Sequence, residues 1–127
     1  NKPPAQGLYS ARRSSNTMII DESIFLKHIL SAVDEIEKFT KGVGREDFLR
    51  SSEKQSAVVR QLEIIGEAVK NLSEEFKSKQ SDIPWRDISS MRDNLIHEYF
   101  GVDLEVVWET VKEDLPELKS ELLKIID

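Results

Sequence analysis

The 127-residue chain has no cysteine, two histidines, five glycines, four prolines and 7% aromatic residues. Without cysteine there can be no disulfide framework, thiolate metal site or cysteine nucleophile, and a reducing, cytoplasmic setting is expected. With two histidines, a zinc site would need several carboxylates, and no spacing in the sequence assembles them. The residues three before His28 and His97 are Phe25 and Asn94, so the Glu-x-x-His pairs of a di-iron bundle are missing. There is no glycine-rich phosphate loop and no G-x-S-x-G nucleophile elbow. No apolar run approaches the ~20 residues needed to span a bilayer, and the start does not resemble a secretory signal. The length suits one domain with one modest core.

Positive charge is also scarce. Eighteen Lys and Arg face 24 Asp and Glu, for a net charge of −6. Residues 1–17 hold Lys2, Arg12 and Arg13 but no acid, so residues 18–127 carry 15 basic against 24 acidic groups, a net −9. Proteins that grip nucleic acid through an extended phosphate footprint are usually basic. Any nucleic-acid role must therefore work from a small local site.

Residues 1–17 are polar, with Pro3, Pro4, Gly7 and a Ser14-Ser15-Asn16-Thr17 run and no helical or strand period. They read as a flexible lead, native or left by cloning, with Met18 as the expected native start and 18–127 as the single domain. From Met18 the period is helical. Leu26, Ile29, Val33 and Ile36 mark a first helix ending before Gly42 and Gly44. Val58, Leu62, Ile65, Val69, Leu72 and Phe76 form one continuous stripe for a second. Pro84 suits the start of a third helix, from about Trp85 to about Tyr99. Asp103 can cap a fourth, with its stripe at Leu104, Trp108, Val111, Leu115, Leu118, Leu122 and Ile125. Pro116 should kink or split that helix, and Asp114 with Glu117 offers a capping box for a restart. The expected fold is an all-α, up-and-down bundle of four to five helices.

The third helix carries the chemistry. On a helical wheel Trp85, Ile88, Ile96 and Tyr99 lie within about 40° of Arg92, which places a guanidinium on an apolar face. Either Arg92 pairs with an acid such as Glu63 or Glu67, or this face borders a cleft or second subunit that binds an anion. His97 lies five residues on, about 140° around and about 7.5 Å along the helix, with Asp93 one turn before it on nearly the same side. An Arg suited to bidentate phosphate contact and a His that titrates near neutrality suit cleavage of an RNA phosphodiester. His97 would move the 2′-OH or leaving-group proton, and Arg92 would stabilise the phosphorane. A two-fold dimer packed on this helix would bring two copies together. His28, between Leu26 and Ile29, reads as a surface residue, and Tyr99 as a core or interface aromatic or as something more specific.

Arg92-x4-His97-x-Tyr99, with polar Asp93 after the Arg, resembles the Arg-x4-His-x-Tyr signature of HEPN domains. Leu62-Glu63-Ile64-Ile65-Gly66-Glu67-Ala68, Ile83-Pro84-Trp85-Arg86, His97-Glu98-Tyr99-Phe100-Gly101-Val102-Asp103 and Asp114-Leu115-Pro116-Glu117-Leu118 resemble the HepT-like branch. The resemblance runs from Met18 to the C-terminus. It implies a helical bundle dimerising through its motif helix. It further implies the toxin of a type VII toxin–antitoxin system, a metal-independent endoribonuclease acting on RNA or tRNA without a cofactor. Arg92 and His97 would be catalytic and Asp93 supporting. Tyr99 would be the site at which a partner nucleotidyltransferase antitoxin of the MNT type (MntA-like) attaches AMP, adding charge and bulk where an RNA phosphate should sit. The alternative is a non-catalytic dimeric helical module that binds a nucleotide or a nucleotidyltransferase. Under either reading the surplus acidity is an expected docking surface for a basic patch on the antitoxin.

Overall fold

The computed structural model describes residues 22–97 and 102–126, with Ile96 and His97 described by their backbone alone. Residues 1–17, Met18 and Tyr99 lie outside the described residues. Among those described, every regular element is a helix and no strand occurs.

Helix α1 spans 22–40. It buries Leu26, Ile29, Val33 and Ile36 on one face, and ends with Gly42 at φ +73°, a left-handed conformation that glycine adopts without steric cost. Thr40 is buried in its last turn and donates its hydroxyl to the Ile36 carbonyl at 2.8 Å. A short helix that the hydrophobic period does not signal, α2 (Arg45–Arg50), follows. It inserts fully buried Phe48 against Trp108, with ring centroids 5.1 Å apart. Ser51 then caps α3 (Ser52–Asn71) by accepting from the Lys54 amide.

The stripe from Val58 to Phe76 is not one helix. Leu72 is extended, with ψ 146°, and Ser73 caps a new helix, α4 (Glu74–Lys79), by accepting from the Phe76 amide. The Glu22 carboxylate accepts both the Ser73 amide and its hydroxyl, which ties the start of α1 to this break. Local capping thus overrides the apolar period, and Phe76 reaches the core from α4, its ring against Trp85. Pro84 accepts the first amide of α5 (Trp85–His97), from Ile88.

Asp103 caps α6 (Leu104–Glu109) as expected, accepting from the Glu105 and Val106 amides. The interruption expected near Pro116 takes the form of a change of helix type and not of a capped restart. A π-helical turn, Thr110–Asp114, joins α6 to α7 (Leu115–Ile126) with the Leu115 amide bonded to the Thr110 carbonyl, five residues back. The wider turn relieves the clash that a proline ring makes with the carbonyl four residues before it, so Asp114 does not cap a restart. Four long rods therefore frame the bundle (α1, α3, α5 and the continuous α6–α7), with α2 and α4 as short additions. The core runs through all four, from Ile29 and Leu62 to Leu95 and Leu122. No helix among the described residues is long and apolar enough to cross a membrane.

Candidate ribonuclease site

The site is built where α5 lies against α3. Gly66 is buried in the middle of α3, and a Cβ there would fall 2.1 Å from Arg92 Cβ and 2.7 Å from Arg92 Cγ. The absence of a side chain at Gly66 is what lets α5 come close enough to seat the Arg92 stem. The guanidinium extends from this contact to the edge of the interface, where the side chain is 25% exposed. Of the two acids considered as partners, Glu67 makes the pair, at 2.9 Å. Glu67 is itself 55% exposed, so this is a boundary ion pair and not a core one.

Asp93 accepts from Arg92 at 3.3 Å and from Lys70, one turn beyond Glu67 on α3. Glu67 and Lys70 thus reach from α3 to the two adjacent charges of α5. The hydrogen bond from Lys70, against some desolvation and with help from Arg92, holds the Asp93 carboxyl below the usual carboxylate range. The folded chain therefore holds this proton less tightly than the unfolded chain, which adds stability above the ordinary carboxylate pKa and loses it as pH falls through the lowered folded value. Asp93→Asn is accordingly expected to flatten the acid side of the stability curve. Thermal unfolding between about pH 5 and pH 2 measures this, and an undiminished acid loss in the variant would assign the effect elsewhere.

One donor is left over. Arg92 Nε is buried and has no hydrogen-bond partner among the described residues, an arrangement that costs on the order of 1–3 kcal/mol unless a ligand supplies an acceptor. Arg92 also lines a cleft of about 300 Å³ with Arg60, Glu63 and Glu67 of α3 and with His28 and Phe25 of α1. His28, expected at the surface, is exposed but forms part of this wall. Arg60, Lys70 and Gly66 were not marked by sequence reasoning as site residues. For Gly66 a signal existed: a glycine inside an amphipathic stripe, where it costs about 1 kcal/mol relative to Ala, usually marks a close approach.

Arg92, Asp93 and the backbone of His97 share α5. The His97 side chain lies outside the described residues, and its backbone stands five positions beyond Arg92 on the same helix. Tyr99 lies beyond them altogether.

Comparison with known proteins agrees with this helix and its neighbours. A family model described as ribonuclease HepT-like matches residues 29–125, a span that includes all of α3 and α5. The chain is 52% identical over 101 residues to a Thermococcus cleftensis protein named "Probable ribonuclease HepT", covering 80% of this chain and 92% of that one. It is 47% identical over 102 residues to a "Putative RNase" of Caldanaerobacter subterraneus subsp. tengcongensis, covering 80% and 91%. A Methanocaldococcus jannaschii protein named "Gamma-glutamylcyclotransferase and putative RNase" is 51% identical over 107 residues. That match covers 84% of this chain, which spans about half of that relative's length, 48%. No solved structure gives a significant match. With the family's span running from the end of the first turns of α1 to the last turn of α7, the chain belongs to the HepT-like ribonuclease family.

Proposed function

We propose that this member of a ribonuclease family is the toxin of a type VII toxin–antitoxin pair, a metal-independent endoribonuclease that cleaves RNA or tRNA on the Arg92 face of α5. The observation that carries this reading is Arg92 itself: a guanidinium seated by Gly66, lining a cleft and keeping one buried donor unpaired. Such a group is pre-organised to donate hydrogen bonds to a phosphate oxygen. In the proposed mechanism the scissile phosphate displaces or shares the Glu67 carboxylate, and Arg92 stabilises charge on the phosphorane. His97 takes the 2′-OH proton or protonates the departing 5′ oxygen, and Asp93 supports the pair. On one helix Arg92 and His97 lie on different sides, so a homodimer packed on α5 completes the site with residues of both copies.

The proposal extends to neutralisation, on the sequence spacing alone: seven residues are about two helical turns, so AMP attached to Tyr99 by a nucleotidyltransferase antitoxin would bring a phosphate toward the place where the substrate phosphate binds. The double pairing of Arg92 with Glu67 and Asp93 also favours a second reading, in which Arg92 is structural and the chain is a non-catalytic dimeric module for a nucleotide or a nucleotidyltransferase. Incubation of the purified protein with tRNA in EDTA separates the two. Fragments ending in a 2′,3′-cyclic phosphate are expected from an attack by the 2′-OH, whereas intact tRNA and unharmed host cells would leave only the binding module. Mass spectrometry after co-expression with the partner should show an added AMP on Tyr99.

A further inference from the structure

A concavity larger than the Arg92 cleft lies elsewhere on α5. A groove of about 790 Å³ runs along the other side of α5, between that helix and the α6–α7 rod, and shares no lining residue with the cleft. Its floor is apolar. Leu118 is buried, Ile88 and Met91 are partly covered, and Val106 is 53% exposed.

The charged side chains that line it are Asp82, Asp87, Asp103, Asp114, Glu117 and Glu121, with no Lys, Arg or His. Asp103 is occupied as the α6 cap, and Glu121 pairs with Lys124 at 3.3 Å. The other four form no ion pair among the described residues, as is also true of Asp47, Glu53, Glu63, Glu109 and Glu113 outside the groove; what sets the groove apart is a lining that gathers acids around an apolar floor and includes no basic side chain. Carboxylates held unpaired around an apolar floor repel one another and are relieved by a cation.

From this asymmetry we infer that the groove is a docking surface for a cationic amphipathic segment of a protein partner. Apolar side chains of the segment lie on Ile88, Met91, Val106 and Leu118, and its Lys or Arg side chains span the rim at Asp82, Asp87, Asp114 and Glu117. RNA does not suit it, because phosphates would meet four unpaired carboxylates. A second copy of this acidic chain does not suit it either, since it would add negative charge where positive charge is needed. The groove and the Arg92 cleft are separate, so a partner can dock with the RNA face still open. The inference stands whether or not that face cleaves RNA.

The probe is an 18-residue peptide of Leu and Lys spaced as an amphipathic helix, with a Leu/Glu counterpart, titrated into the full chain by fluorescence anisotropy and by methyl NMR. The Leu/Lys peptide is expected to bind and to shift the Ile88, Met91 and Val106 methyls, while the Leu/Glu peptide does neither. Binding should weaken at least about tenfold in Asp87→Lys/Glu117→Lys, and likewise in about 0.5 M salt. Glu53→Lys/Glu109→Lys makes the same charge change at exposed sites outside the groove and should weaken it less than about twofold. Equal weakening by both pairs, or methyl shifts confined to other surfaces, would overturn the inference by showing attraction to net charge alone. It is equally overturned if Val106→Asp dissociates a dimer, which makes the groove a self-interface. A tenfold gain in peptide affinity on deleting residues 1–17 would assign the groove to the chain's own basic lead, with the same result.

Discussion

His97→Ala is expected to lower RNA cleavage by about 100- to 10,000-fold, the usual contribution of a positioned acid–base group. Its loss should also remove the near-neutral limb of the pH–rate profile. Arg92→Ala is expected to cost about 100- to 1,000-fold, as removal of one donor to a developing oxyanion typically does. Arg92→Lys should recover little, because an ammonium cannot replace a planar fork that spans two oxygens. These losses can be separated from unfolding on structural grounds. Ala at position 92 keeps the Cβ that sits over Gly66, and the carboxylate left behind on Glu67 is more than half exposed, where an unpaired charge costs little. Arg92→Ala should therefore stay within about 1 kcal/mol of wild type by denaturant unfolding. Full activity in either Ala variant would take that residue out of the catalytic site and put the cleavage elsewhere on the chain.

Gly66→Ala is expected to produce the other large effect, through a residue with no chemistry of its own. A new Cβ 2.1 Å from Arg92 Cβ and 3.3 Å from Arg92 Cα cannot be accommodated by rotating a side chain, because one of its neighbours is backbone. The helices must separate, and overpacking of this kind costs about 1–3 kcal/mol. That outweighs or cancels the roughly 1 kcal/mol by which Ala improves on Gly within a helix. Activity should suffer more than stability, since a shift of about 1 Å in a catalytic group can cost about 100-fold. The compensating change is Arg92→Gly. In Gly66→Ala/Arg92→Gly the small residue has moved from one helix to the other, the propensity terms offset, and the close approach is restored without the guanidinium. The double variant should regain most of the lost melting temperature and none of the lost cleavage. If the two destabilisations instead add, the contact is not what joins α3 to α5.

How much of this could be read before the fold was known depends on whether the cause is local. The faces of α1 and α6–α7 follow from apolar residues three and four apart, and the Asp103 cap from one side chain reaching its own next amides. Arg92 stood out because a charged residue interrupts an apolar face of one helix. Phe48 did not stand out, because six residues of α2 are too few to show a period. The break at Ser73 was written as a serine followed by two glutamates, an N-terminal signature that the longer stripe masked. Which acid meets Arg92, and that Lys70 meets Asp93, are properties of the crossing between α3 and α5 and of nothing nearer in sequence. Glu67 could be named as one of two options because it sits on the stripe's edge. Lys70 could not, since its role exists only once α5 lies beside it.

The π-helical turn at Thr110–Asp114 also decides where this chain can lose a residue. A π turn is an α turn with one residue too many, so deleting one residue between 110 and 114 leaves α6 and α7 facing the core as before. The deletion would return Pro116 to a regular α-helical setting, with its cost of about 3 kcal/mol. A deletion anywhere else in the rod would turn everything after it by about 100° and carry Leu115, Leu118 and Leu122, or those of them that lie beyond the gap, off the core. The last helix tolerates shortening at one turn only, and the proline beside that turn works to keep the extra residue in place.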